Sequence, residues 1–471
     1  MGTCYAPFLD CMHRISQWSA VVSCLSIFAA VGAALAYPLV RCVRSRRTTL
    51  LCSSFAYIAG AVGCAAAVYL RQSPLALPCM LAGRALSGVG IGVASSIATR
   101  YLAEMAPNSA ARGRLGSVSK LAVFVGVLFS QAIAASVRGV PWGWLLPMAL
   151  PGYAMAAWLL ASVWLLPNSP LELLARHRTD AALTTARRLY KLDEEAAQQL
   201  LQHLRNTQLV LPSKQAERTQ TAATSLWRRR HPAHWAFMLS LLLLTGQASS
   251  GAVAIVNYAG AVFRRAGVDE VMSALCTSAA VAAVTAWSAA RNDKVSRRQQ
   301  LLRGSCAMLA LIIAAVALQH VQLSGMVDGT GVFAWCTLAT LVAFMCCFAW
   351  CMADTPFVIA AELFDSGDAD SALSWGNTMN WAFTAVQVLT FPVLLDAYGA
   401  AAYLPLVAAL AGMVAMTRAW IPETTGRTLQ DIERDLTAMA PRCCLPPALE
   451  AQRPAEIGAA AFCGTASVQT L

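Results

Sequence analysis

The stretch Arg41–Leu51, "RCVRSRRTTLL", has a twin at Asn292–Leu302, "NDKVSRRQQLL". Both carry Ser-Arg-Arg, a two-residue spacer and Leu-Leu, and both lie between long apolar runs. Two further pairs recur in the same order. "RYLAEMAP" (Arg100–Pro107) parallels "VIAAELFD" (Val358–Asp365), each with Ala-Glu at the end of an apolar run. "LPNSPLELL" (Leu166–Leu174) parallels "IPETTGRTL" (Ile421–Leu429), each a proline and a polar turn closing its half. Ordered recurrence of this kind marks a duplicated multi-helix unit.

The rest of the chain fits a membrane setting. It is 58% hydrophobic and 13% charged over 471 residues, with mean hydropathy +0.55. That is about half the charge of an ordinary soluble domain. The apolar runs are about 20 residues long, enough to cross about 30 Å of hydrocarbon as helix. Their period is helical and not the alternation of a membrane barrel. The fold class is therefore all-α, a polytopic membrane protein.

Eleven spans are predicted, at about 16–40, 50–70, 77–99, 118–137, 142–166, 235–263, 271–290, 301–320, 331–360, 371–396 and 401–421. They divide the chain into a five-span bundle (1–166), a linker expected to be helical (167–234), a six-span bundle (235–421) and a tail (422–471). Within the linker, Ala182, Leu183, Ala186, Leu189 and Tyr190 share one helix face, and Thr179 or Asp180 is the expected N-cap. Lys and Arg collect after the first, third, fifth and seventh spans, and segment 167–234 alone carries eleven. The positive-inside rule makes that face cytoplasmic, with the C-terminus on the same side and the N-terminus outside. The net charge of +11 thus reports topology and does not call for a nucleic-acid partner. The sixteen cysteines show no metal-ligand spacing, and no cofactor motif or catalytic constellation is evident. Met1–Arg14 lacks the pattern of a signal peptide.

With those features in place, the chain from about Ser16 to Leu436 resembles the sugar porter family of the major facilitator superfamily. "PETTGRTLQDIE" (Pro422–Glu433) is similar to the motif that closes that family's last helix. "GRALSGVGIGVASS" with "YLAEMAP" and "RGRLGS" (Gly83–Ser117) resembles its fourth-helix region. "GQASSGAVAIVNYAGAVFRRAG" (Gly246–Gly267) resembles its seventh helix, and "TPFVIAAELF" with Asn380–Trp381 its tenth and eleventh. The resemblance implies two pseudo-symmetric bundles and carriage of a sugar by alternating access, either facilitative or proton-coupled. It also implies twelve helices, one more than the eleven expected spans, and on that resemblance the missing one is the first. A non-transporting sugar sensor and an inactive or truncated paralogue stay open as other readings. The plasma membrane is the expected location, and the expected partners are a sugar, the lipid bilayer and, if coupled, protons.

Candidate residues fall into three groups. A sugar site needs neutral donors and acceptors, which Gln247, Asn257, Tyr258, Asn380, Trp381 and Gln131 supply. Lys120 stands where the resemblance places a sugar-binding glutamine. It points either to a substrate with negative charge or to a pairing with a cytoplasmic carboxylate. Gating pairs are expected on the basic face among Arg46, Arg47, Glu104, Arg112, Asp293, Arg297, Arg298, Glu362, Glu423 and Arg427. Glu104 is matched with Arg112, and the pairs are expected to close within a loop or across the bundle. Arg84 is a charge inside a span, needing a cavity, a partner or a route to the interface. The glycines Gly83, Gly88, Gly90 and Gly92 are read as a close-packing stripe. Departures from the family pattern include Ala248 for glutamine, Val253 for asparagine, Phe357 for tryptophan and "PNSPLELL" for P-E-S-P-R-W-L. The first-half loop also lacks the motif's aspartate and glycine, with Cys42 and Ser45 there.

Overall fold

The computed structural model describes residues 15–70, 72–106, 109–137, 140, 152, 154–159, 161–162, 165–209, 233–257, 269–289, 295–323, 330–364, 366–427 and 429–439. In the first half, α1 (Ile15–Val43), α2 (Arg46–Tyr69), α3 (Ala76–Glu104) and α4 (Ser109–Ser136) are long apolar helices. The fifth expected span, 142–166, lies largely outside the described residues. The linker contains α5 (Pro170–Ala175), α6 (Thr179–Tyr190) and α7 (Glu194–Leu209). In the second half come α8 (His234–Ser249), α9 (Ala252–Asn257), α10 (Glu270–Ala289), α11 (Arg297–Leu323), α12 (Thr330–Cys351), α13 (Thr355–Glu362), α14 (Ser366–Tyr398), a 3-10 turn (Gly399–Tyr403) and α15 (Leu404–Trp420). A tail helix, α16, covers Leu429–Met439. Among the described residues, nine helical stretches are long and apolar enough to cross a membrane. One of them, Ser371–Trp420, contains the 3-10 turn and is two helices by backbone.

Small residues set the first bundle. A methyl group added at Gly88 or Gly92 would collide with the backbone oxygen of Leu25 or Ala29, so α3 lies directly against α1. On its other side, Gly83 meets Gly60 and Cys64 of α2. Without a hydrophobic driving force between helices in lipid, such close van der Waals packing is what holds them. The second half has a larger core around Phe237, Leu243, Phe344 and Tyr403. Large apolar side chains such as Phe55, Phe129 and Trp335 point outward, each more than 60% exposed. That is the surface a bilayer would cover.

The expected spans 235–263 and 331–360 are each interrupted. The first breaks at Ser250–Gly251, where Gly251 adopts φ +97°, a left-handed value that disfavours a side chain. The second breaks at Met352–Asp354, just before Pro356. Proline supplies no N–H to the carbonyl four residues earlier, Met352 O, so the helix cannot run through. Hydropathy missed both breaks because apolar residues continue across them.

The linker helices pack as their apolar face requires, Ala182 and Ala186 against Leu173, Ala197 and Leu201, with Leu183 and Tyr190 alongside. Leu189 departs from the expected face and is exposed. The expected capping also differs. Thr179 is already helical, and Arg178 holds the N-cap position without a side-chain cap.

Candidate functional site

The opening cluster occupies a very short connection. α1 ends at Val43, Arg44 turns back in the left-handed region (φ 57°), and Ser45 caps α2 by accepting from Thr48 N at 3.2 Å. Arg46 then extends a guanidinium to Glu104 at 2.8 Å, while its backbone N–H donates to Glu172 Oε2 at 3.2 Å. Arg100 reaches the same Glu104 at 3.9 Å, and Arg176 pairs with Glu172 at 2.9 Å. Arg47 lies beside them with its Nε buried. The second half repeats this wiring. Arg297 pairs through its guanidinium with Glu362, and its N–H donates to Glu423 Oε1 at 3.2 Å. Glu423 also accepts from Ser296, and from the N–H groups of Thr424 (3.2 Å) and Thr425 (3.0 Å). Burial acts to raise the Glu423 carboxyl, but the donors on Ser296, Thr425 and Arg297 outweigh it and hold the group below its ordinary value.

The ion pairs described here join elements of one half or tie a half to the linker. The expected pairing of Glu104 with Arg112 falls outside the described residues, as does Asp293. Arg298 donates to the carbonyls at the end of α15, Thr417 O at 3.5 Å and Arg418 O at 2.8 Å. Arg427 pairs with Asp435 of the tail helix at 3.2 Å, both partly exposed.

Midway along the helices a polar cluster forms around the two breaks. Gln247, buried on α8, donates from Nε2 to Met352 O at 2.8 Å and Ala353 O at 3.2 Å. Met352 O is the carbonyl that Pro356 leaves without a helical partner, so the amide satisfies a buried acceptor. Asn380 on α14 donates to Gln247 Oε1 and to Leu244 O, both at 2.8 Å. One turn earlier, Asn377 bridges to the first half, donating to Ser95 Oγ at 2.9 Å and Ser96 Oγ at 2.7 Å on α3. Trp381 Nε1 donates to the same Ser95 Oγ at 3.2 Å, and Ser374 donates to Ala33 O of α1 at 2.8 Å. The sequence reading named Gln247, Asn380 and Trp381, which come together here. It missed Asn377, Ser95 and Ser96, although Asn377 lies three residues before Asn380, on the same helix face.

The remaining candidates sit apart. Asn257 is exposed and donates to Val253 O of its own helix at 2.9 Å. Gln131, near the far end of α4, accepts from Ser278 of α10. Tyr258 lies outside the described residues. Arg84 donates from Nε to Val21 O of α1 at 3.4 Å. Lys120 on α4 stands 3.7 Å from Asp354 in the break of the second half, with its ammonium 4.8 Å from the Phe357 ring centre.

Among the described residues no group of His, Cys, Asp and Glu has a metal-binding arrangement. The sequence profile of a family described as "Sugar (and other) transporter" matches residues 4–436. The glucose transporter GlcP of Staphylococcus epidermidis is 28% identical over 425 residues, covering 88% of each chain. The arabinose-proton symporter of Escherichia coli K12 is 27% identical, covering 90% of this chain and 86% of its own. Among solved structures, the proton:xylose symporter XylE bound to 6-bromo-6-deoxy-D-glucose superposes with a TM-score of 0.73 at 19% identity, over 89% of each chain. The all-helical architecture is thus the major-facilitator fold. The chain belongs to the sugar porter family of the major facilitator superfamily, a family of transporters and not of enzymes.

Proposed function

We propose that this chain carries a neutral hexose-like sugar or related polyol across a cell membrane by rocking its two halves about the polar cluster. One observation carries the reading. The two interrupted helices, α8–α9 and α12–α13, meet midway along their length through Gln247 and the carbonyls of Met352 and Ala353, and Asn380 of α14 holds that glutamine. Asn377 and Trp381 continue that cluster to Ser95 and Ser96 of the opposite half. Interrupted helices meeting at the interface of two repeats are how many secondary transporters build a substrate site. Amides and hydroxyls there offer donors and acceptors without charge, which matches the hydroxyls of a sugar. The glucose and arabinose transporters among its relatives support that substrate class. The basic face is cytoplasmic on this reading, and Glu104, Glu362, Glu423, Arg46 and Arg297 brace it within each half during the swing.

Uptake of radiolabelled D-glucose, D-xylose, L-arabinose and myo-inositol in a host without its own sugar carriers tests the reading. Saturable uptake of at least one is expected. Uptake sensitive to a proton uncoupler would assign symport, and insensitive uptake facilitation. Full surface expression with none of the four entering would overturn it, and sugar binding without transport would favour the sensor.

A further inference from the structure

Lys120 and Asp354 come from opposite halves, and Gln247 contacts the carbonyl of Ala353, the residue immediately before Asp354. The ion pair therefore adjoins the polar cluster. Lys120 lies about 16 Å along α4 from its first residue, at eleven steps of about 1.5 Å. Asp354 holds the N-cap position of α13 yet makes no side-chain cap, because its carboxylate is turned to Lys120 instead. Both side chains keep part of their surface open, 30% and 21%. Their 3.7 Å separation exceeds a direct hydrogen bond. A hydroxyl oxygen can stand about 2.8 Å from both atoms, accepting from the ammonium and donating to the carboxylate.

We infer that Lys120 and Asp354 form an electroneutral hydroxyl clamp that selects uncharged polyols against charged sugars and draws the two halves together on binding. The clamp rests on the transport reading above and refines its substrate class. Hydrogen bonds to charged groups are stronger than those to amides, so the pair replaces the amides lost at Lys120 and Ala248. A uronate or an aminosugar brings a net charge that must displace one partner and strand the other in a poorly solvated site. The Phe357 face keeps the ammonium in place while a hydroxyl inserts.

The test compares uptake of radiolabelled D-glucose, D-glucuronate and D-glucosamine at about pH 6, where the amine is protonated. The full-length wild type is set beside K120Q, D354N and the double variant, with surface abundance measured for each. Wild type is expected to favour D-glucose over both charged sugars by about tenfold or more. K120Q, leaving the carboxylate alone, shifts the preference toward D-glucosamine by about tenfold, and D354N shifts it toward D-glucuronate by a similar factor. The double variant, neutral again, recovers the preference for D-glucose but with KM raised about tenfold. That measurement decides the matter if either single variant fails to reach the surface. Selectivity unmoved in the single variants, an unchanged D-glucose KM in the double, or a wild-type preference for D-glucuronate overturns the clamp while leaving transport intact. A wild type at the surface that moves none of the three sugars, nor D-xylose, L-arabinose or myo-inositol, removes the transport reading and the clamp together.

Discussion

The two charge clusters on the basic face share a plan and differ in one supplier. In each, an arginine at a helix N-terminus gives its guanidinium to the glutamate of an Ala-Glu pair and its N–H to a second carboxylate. In the second half that carboxylate is Glu423, in the turn directly after α15. In the first half the equivalent turn carries Asn168, and the acid comes from Glu172, four residues on, inside linker helix α5. The pseudo-symmetry thus preserves an electrostatic position and not a residue. Moving the acid into α5 ties the linker to the first bundle, with Tyr101 Oη on Pro167 O at 2.6 Å and Tyr190 Oη on Met105 O at 3.1 Å adding to the seam.

Substitutions separate what is common from what is particular. Glu423→Ala has the largest expected effect, about 3 kcal/mol by thermal unfolding of the purified protein, because four donors lose one acceptor. Its charge also sets a pH dependence. The folded carboxyl lies below its unfolded value, so its contribution is complete above about pH 4.5 and fades as pH falls through the folded value. The stability gap between wild type and Glu423→Gln should therefore shrink below about pH 4.5, and a gap that widens there would contradict the assignment. Arg297→Ala should cost about 2 kcal/mol, since it strands a partly covered Glu362.

Glu172→Gln comes next, at about 1 kcal/mol, because the amide still accepts from Arg46 N–H but no longer holds Arg176. Its signature should be faster limited proteolysis of the linker. Adding Asn168→Glu to Glu172→Ala sharpens the comparison. Partial recovery of stability without recovery of protease resistance is expected if position decides the charge and α5 decides the docking.

Much of this was legible in the sequence. The apolar runs marked the long helices that are described, and the repeated Ser-Arg-Arg loops pointed to two similarly wired charge clusters, because hydropathy and charge act locally along the chain. The breaks were not, since Ser250–Gly251 and Met352–Asp354 sit in apolar surroundings and Pro356 was the one local sign of the second. Gln247 was found as a neutral amide, but its contact with the carbonyl freed by Pro356 needs two distant segments to meet. Lys120 is conspicuous in the sequence as a charge where the family pattern has a glutamine. Asp354 is not marked as its partner, because it falls inside the expected span 331–360 and the sequence places the carboxylate for Lys120 on the cytoplasmic face. Glu172 was hidden by its register, although an acid following the loss of one at Asn168 is a signal that can be searched for.

The central claim, that the two halves alternate around a sugar held at the polar cluster, meets its most direct test in counterflow. Purified full-length protein would be placed in liposomes preloaded with unlabelled D-glucose, D-xylose, L-arabinose or myo-inositol, each in turn, and given the same sugar labelled outside. The account predicts, for at least one of the four, a transient internal accumulation of label above equilibrium, lost in Gln247→Leu, which removes both the cap on Met352 O and the partner of Asn380. Protein that is folded and inserted yet exchanges no more label of any of the four than empty liposomes would contradict it.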